Sequence, residues 1–315
     1  MKTLKSDFKR KIVEFIFAIT ISIILVLMGT YYFSGFIFIY PLPFIILGFM
    51  NDRNHALLAL ILSSLSIGLM LDMLSGILIL VLFAPLCISL IHTMKMRKNS
   101  FIILSVSTLA LLFSIIIMAT ITKNMTGTSL VNRLADLSNQ SINYWINTLK
   151  ELGSSNYEIS KARELMEERF EYVILIVPAL TMIFSFIISY VNYLFAALSL
   201  RRLGYGIVSI PRFSKFKLPN NILLGTAVMF LGAFIIRKLQ LFYYEAILVN
   251  LTAIVSFLFL TQGLAVIDYQ LKARKIRVIP RLLIVLFLVL PLSGFLPFIG
   301  ILDTIFDFRG FRRRI

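Results

Sequence analysis

Long apolar runs recur along this chain, and a run that crosses hydrocarbon must satisfy its own backbone hydrogen bonds, which in a chain without strand alternation means a helix. One crossing needs about 20 mostly apolar residues, because a rise of about 1.5 Å per residue has to cover about 30 Å. Nine runs are candidates: Ile12 to Gly29, Phe33 to Met50, Ala56 to Leu71, Leu74 to Ile91, Phe101 to Ile121, Tyr172 to Leu198, Ile222 to Ile236, Ala246 to Ile267 and Leu282 to Leu302. The third and seventh are short, and Pro291, Gly294 and Pro297 interrupt the ninth. The sequence therefore predicts an all-α polytopic bundle of eight or nine spans. Composition agrees: 59% of the 315 residues are hydrophobic and only 15% charged, against about 25% charged in an average soluble domain.

The net charge of +16 resides in short clusters between the runs rather than on one nucleic-acid-binding face. Lys2, Lys5, Lys9, Arg10 and Lys11 precede the first run. That run is too long for a signal-peptide core and lacks a small-residue cleavage site, so it reads as a retained helix. Cytoplasmic loops carry the excess of Lys and Arg. With the amino terminus inside, Arg53, the Lys95 to Lys98 cluster, Arg201 to Lys217 and Lys272 to Arg281 all fall on the cytoplasmic side. Arg309 and Arg312 to Arg314 conflict with nine crossings, since they would lie outside. Two readings remain open for the last run: a re-entrant segment that dips in and turns back at Pro291 to Pro297, or a kinked span with an external arginine tail.

Three parts follow: an amino-terminal membrane half over residues 1–122, an extracytoplasmic amphipathic hairpin over 123–171, and a carboxy-terminal membrane half over 172–315. In the hairpin, Leu130, Leu134, Leu137, Ser141, Trp145, Leu149 and Leu152 recur at helical spacing before Gly153. Ser155 and Glu158 form a capping-box pattern for a second helix that runs on into the sixth span. The inner loop interleaves Arg201, Arg202, Arg212, Lys215 and Lys217 with Tyr205, Phe213 and Phe216. Such a loop suits an anionic inner leaflet, each charge contributing about 1 kcal/mol near the surface. No nucleic-acid recognition module surrounds it.

Every acid in or near a run falls at its end, including Glu14, Asp72, Glu245, Asp268 and Asp303. Buried charge at mid-depth marks proton relays and ion pathways, so ion coupling through a buried carboxylate is disfavoured. Uncharged polar residues do reach the interior. Ala56, Ala59, Ser63 and Ser66 make a small-residue stripe in the third run, and the eighth carries Asn250 and Gln262. An Asn or Gln in lipid needs a partner from another helix or from a ligand. Ser63, Ser66, Asn250 and Gln262 are the candidate substrate contacts, with helix packing as the competing explanation. Cys87 alone forms no internal disulfide, and His55 with His92 makes no zinc site. No phosphate loop, zinc-protease helix, Cys-x-x-Cys or nucleophile elbow occurs, so neither an enzyme nor a cofactor is expected.

Four short segments carry a family resemblance. Pro-Leu-Pro-Phe at Pro41 to Phe44, Ile-Pro-Arg-Phe with Leu-Pro-Asn between Ile210 and Asn220, Ala-Val-Ile-Asp-Tyr at Ala265 to Tyr269, and Gly-Ile-Leu-Asp with Asp-Phe-Arg between Gly300 and Arg309 resemble the YybS-type predicted membrane proteins of Gram-positive bacteria. The first half is also similar in hydropathy to the substrate-binding subunits of energy-coupling-factor transporters, although the first run has Ala18 alone where that family has an alanine-rich coupling motif. The expectation is a non-catalytic small-solute binding or permease-like subunit, its ATPase or coupling subunit being a separate chain. The alternative is an envelope scaffold or assembly factor without a transported substrate.

Overall fold

The computed structural model describes residues 2–206, 213–219, 221–240 and 243–310, with the side chains of 2–8 and 290 left aside. The described residues form α-helices joined by short turns, with two 3-10 stretches. They are α1 (Lys2–Tyr31), α2 (Leu42–Met50), α3 (Arg53–Met70), α4 (Met73–Lys95), α5 (Ser100–Thr126), α6 (Leu130–Glu151), α7 (Asn156–Arg202), α8 (Ile222–Lys238), α9 (Tyr244–Ala273), α10 (Val278–Leu292) and α11 (Leu296–Phe306). Among the described residues, six helices are long and apolar enough to cross a bilayer: α3, α4, α5, α7, α9 and, from Lys9, α1. The protein is an all-α membrane bundle.

The second apolar run is not one helix. It is a 3-10 stretch, Ser34–Ile39, followed by the nine residues of α2. Pro41 and Pro43 cause the break, because each lacks an N–H and each disfavours α geometry at the residue before it. The ninth run breaks where its prolines and glycine predict, between Leu292 and Leu296. At about 1.5 Å per residue, its 15 and 11 residues give two helices of about 22 and 16 Å, each too short to span alone.

The chain divides into two compact units, Met1–Leu137 with Phe184–Ile210, and Ser138–Ile183 with Pro211–Ile315. In the first, Tyr40, Phe44, Phe83, Leu60 and Leu90 lie in a fully buried core. Two carbonyls left free at the Pro41 break are met by side chains: Asn192 Nδ2 donates to Phe38 O at 2.8 Å and Ser22 Oγ to Tyr40 O at 3.3 Å. Pro41 O accepts from Ile45 N at 3.1 Å as α2 begins, with Cys87 Sγ a further donor at 3.8 Å. Helices α3 and α4 approach closely at Gly68 and Gly76. A Cβ on Gly76 would run into the Ser64 carbonyl and the Gly68 backbone.

In the second unit α9 is the hub. Gly263 and Gly300 bring α11 against it, since a Cβ on either would overlap a backbone carbonyl of the other helix, Leu296 O or Phe259 O. The capping box holds: Ser155 N donates to Glu158 Oε2 at 2.8 Å and Glu158 N to Ser155 Oγ at 3.3 Å. Gly153 takes a left-handed φ of 78° after α6. The packed face of α6 differs from the leucine stripe. Ile142 and Ile146 are buried, whereas Leu134, Leu137 and Trp145 are exposed.

Candidate functional site

The first unit holds a cavity of about 500 Å³ bounded by the end of α1, the 3-10 stretch and the α3–α4 turn. Its walls include Val26, Ile37, Leu78 and Ile79, and its polar rim is Thr30, Tyr31, Asp72 and Ser75. The rim is built by capping. Asp72 precedes α4 in extended conformation and accepts from Ser75 N at 2.8 Å and from the Ser75 hydroxyl. Those bonds, the hydroxyl first and the N–H second, hold the Asp72 carboxyl below the usual carboxylate range. It is therefore an anion at neutral pH, and the cavity pairs apolar walls with one negative group. A separate apolar groove of about 380 Å³ runs between α1 and α2 past Phe17, Ile21 and Ile46. Glu14 stands at it, bound by Arg10 Nε at 3.2 Å and Asn51 Nδ2 at 2.9 Å.

The second unit contains a buried polar node. Asp303 and Arg309 are each about 1% exposed at the side chain, and Arg309 Nη2 meets Asp303 Oδ2 at 2.7 Å. Arg309 Nη1 donates to the carbonyls of Ser214 (3.1 Å) and Phe216 (2.7 Å). Gln262 Nε2 donates to Asp303 Oδ2 and Thr304 Oγ1, both at 2.9 Å, and its Oε1 accepts from Leu218 N at 2.9 Å. Lys217 Nζ reaches Asp307 Oδ1 at 3.4 Å, and Arg281 Nε meets Asp268 Oδ1 at 2.6 Å. The node fastens segment 213–219 and α11 to α9. Its charged atoms saturate one another, an arrangement suited to holding shape rather than to moving protons.

Of the four candidate substrate contacts, Gln262 belongs to this node. Asn250 is also engaged with protein: its Nδ2 donates to Leu175 O at 2.8 Å and Ala246 O at 2.7 Å, and its Oδ1 accepts from Ala179 N at 2.7 Å. Leu175 C=O and Ala179 N–H are the pair that an unbroken helix would join, and Pro178 lies between them. Ser66 donates back to Leu62 O at 2.9 Å. Ser63 is fully buried beside the Tyr40 hydroxyl, neither group having a hydrogen bond of good geometry. Of the basic-loop residues, Arg201, Arg202 and Lys215 are exposed, Lys217 is paired, and Arg212 lies outside the described residues.

Sequence reasoning placed Asp303 just beyond the last run and Arg309 in an arginine tail whose side it left open. Asp303 instead lies inside α11, and Arg309 is buried against it. The available signal was the pair of short segments Gly-Ile-Leu-Asp and Asp-Phe-Arg, which put opposite charges six residues apart around the end of a helix.

A helical bundle with apolar outer faces and polar contacts gathered at helix breaks is a polytopic membrane protein. The chain belongs to the family of predicted membrane proteins DUF2232, whose model matches residues 18–304. It is similar to the uncharacterized protein YybS of Bacillus subtilis strain 168, with 24% identity over 213 residues, 67% of this chain and 68% of that one. No solved structure matches it.

Proposed function

We propose that the chain is a non-catalytic, permease-like subunit that binds a small solute in the cavity beside Asp72. The observation that carries this reading is the cavity itself. About 500 Å³ of space lies within the range of small-molecule sites, which combine apolar walls with a few convergent polar groups. A solute with an ammonium or several hydrogen-bond donors and a compact apolar body fits an ionised Asp72 facing Val26 and Ile37. The amino terminus is cytoplasmic in this reading, which puts the cavity on the outer face. The exposed bases Arg201, Arg202 and Lys215 then rest on the anionic inner leaflet, and any energy source is a separate ATPase or coupling chain.

The experiment is a thermal-shift screen of the full chain in uncharged detergent against amino acids, polyamines, vitamins and nucleosides. A ligand that binds only the folded state raises its melting temperature by mass action. A rise with a cationic solute that disappears in Asp72→Asn, which keeps a capping oxygen and loses the charge, supports the proposal. Silence across the panel refutes it. The exposed leucines and Trp145 of α6 favour one second reading, a scaffold for envelope-assembly partners. Co-purification with such partners, and with no ATPase, is the outcome that selects it.

A further inference from the structure

The last apolar run is tied to α9 at both of its ends, within the second unit. α10 begins beside the carboxy end of α9, where Arg281 Nε meets Asp268 Oδ1 at 2.6 Å. α11 ends beside Gln262, whose Nε2 donates to Asp303 Oδ2 and Thr304 Oγ1, both at 2.9 Å. Gln262 and Asp268 stand about 9 Å apart along α9, at about 1.5 Å per residue. A run that crossed the bilayer would separate its ends by about 30 Å. Its far end would then lie near Tyr244, where α9 begins.

The residues that follow α11 are held just as firmly. Arg309 Nη1 donates to the carbonyls of Ser214 and Phe216 at 3.1 and 2.7 Å, and Lys217 Nζ reaches Asp307 Oδ1 at 3.4 Å. Leu218 N donates to Gln262 Oε1 at 2.9 Å. The chain just past α11 is thereby fastened to the chain just before α8. The body of α11 obeys the same limit, because a Cβ on Gly263 would meet Leu296 O and one on Gly300 would meet Phe259 O. These anchors on α9 fall between Phe259 and Asp268, about 14 Å of a helix about 45 Å long.

We infer that residues 278–309 form a re-entrant hairpin, which enters and leaves the membrane on the face of segment 213–219. From Arg281 to Leu292 α10 advances about 16 Å, roughly half of the 30 Å of hydrocarbon. Pro291 and Gly294 flank the reversal, and Phe295 N donates to Leu292 O at 2.9 Å to close it. α11 then returns against α9. The pairs Asp268–Arg281, Lys217–Asp307 and Asp303–Arg309 all gather at one end of α9, whereas a crossing run would carry the last two to the opposite face from the first. With this path Arg309 and Arg312 to Arg314 share a face with the bases at 201–217 and 272–281, which is where an excess of Lys and Arg belongs. The hairpin does not depend on the cavity beside Asp72.

The test uses the full chain carrying Cys87→Ser, in sealed membrane vesicles of either orientation, with a membrane-impermeant maleimide. Single cysteines are introduced as Lys215→Cys, Phe308→Cys and Leu152→Cys, all at exposed positions, and one is appended after Ile315. Lys215→Cys, Phe308→Cys and the appended cysteine are expected to label severalfold faster in the same vesicle orientation, and Leu152→Cys in the other. A second measurement needs no vesicles: spin labels on Lys215→Cys with Phe308→Cys, in detergent, should lie well within the bilayer thickness of about 30 Å. The hairpin is overturned if Phe308→Cys and the appended cysteine label together with Leu152→Cys, or if the spin labels stand about 30 Å or more apart.

Discussion

Replacing Arg309 with Met would remove the counter-charge of a carboxylate that water barely reaches. Asp303 would keep its hydrogen bond from Gln262 but lose two from the guanidinium, one at 2.7 Å and one at 3.4 Å. The carbonyls of Ser214 and Phe216 would each lose a donor as well. Breaking a buried ion pair from one side costs about 3–5 kcal/mol, because the remaining charge has no compensation. Each pK-sized step of 1.36 kcal/mol is tenfold, so the unfolding equilibrium should shift by roughly two to three and a half orders of magnitude. Replacing both partners, Asp303→Leu with Arg309→Met, removes the stranded charge and leaves chiefly the two carbonyls wanting donors, at about 1–3 kcal/mol each where buried. The double variant should therefore lose much less than the sum of the singles. The assay is equilibrium unfolding in mixed micelles of increasing dodecyl sulfate, followed by circular dichroism, as a double-mutant cycle. A loss below about 1 kcal/mol for Arg309→Met, or strict additivity, would refute the claim that the pair is buried and mutually compensating.

Gly300→Ala places a methyl on the Phe259 carbonyl and should destabilise by about 1–3 kcal/mol, as overpacking does; a neutral result in the same assay would contradict the close α9–α11 approach. Asn250→Leu should cost about 2 kcal/mol through the two backbone groups it strands, and Pro178→Ala should recover part of that loss by letting the helix bond close; absence of rescue counts against the bridging role. Glu158 is held below its ordinary value by the Ser155 N–H and then the Ser155 hydroxyl, as Asp72 is by Ser75. Depressed acids stabilise fully above their unfolded values, near pH 4–4.5, and lose that contribution as pH falls through the folded ones. Wild type should thus out-melt Glu158→Gln at pH 7, and the gap should close below about pH 4. A topology reporter fused after Ile315 should give a cytoplasmic signal if α10 and α11 form a re-entrant pair, and a periplasm-type signal would restore a full ninth crossing.

The bundle was legible because a bilayer demands long apolar runs, and α3, α4, α5 and α9 fall within a few residues of theirs. The breaks at Pro41 and Pro291 were marked by residue type, but how a short helix packs after such a break depends on remote contacts. Gly263 meeting Gly300 is one example, and spacing along one run cannot reveal it. The helical spacing of α6 was legible too, but periodicity alone does not say which of its apolar residues meet protein: Ile142 and Ile146 are buried, whereas Leu134, Leu137 and Trp145 of the stripe are exposed. Gln262 was singled out as a polar residue in need of a partner, which it is. Its partners Asp303 and Thr304 lie 41 and 42 residues away, and only the folded chain pairs them.

Polar residues inside these spans track places where proline has undone a helix. The Pro41 break frees carbonyls that Asn192 and Ser22 cover, and Pro178 separates a backbone pair that Asn250 rejoins through its amide. In hydrocarbon each uncovered backbone group costs several kcal/mol, so a side chain that covers one has sufficient reason to be polar without any solute. That reasoning accounts for Asn250, and the Asp303–Arg309 node accounts for Gln262. It does not account for Ser63, whose fully buried hydroxyl lies beside that of Tyr40 and answers no broken helix bond. Of the four polar residues first suspected of touching a solute, Ser63 is the one whose polarity neither a proline break nor its own helix backbone explains. A Ser63→Ala exchange is the variant that separates packing from recognition in the first unit, because the group it leaves behind is the neighbouring Tyr40 hydroxyl rather than a broken helix bond.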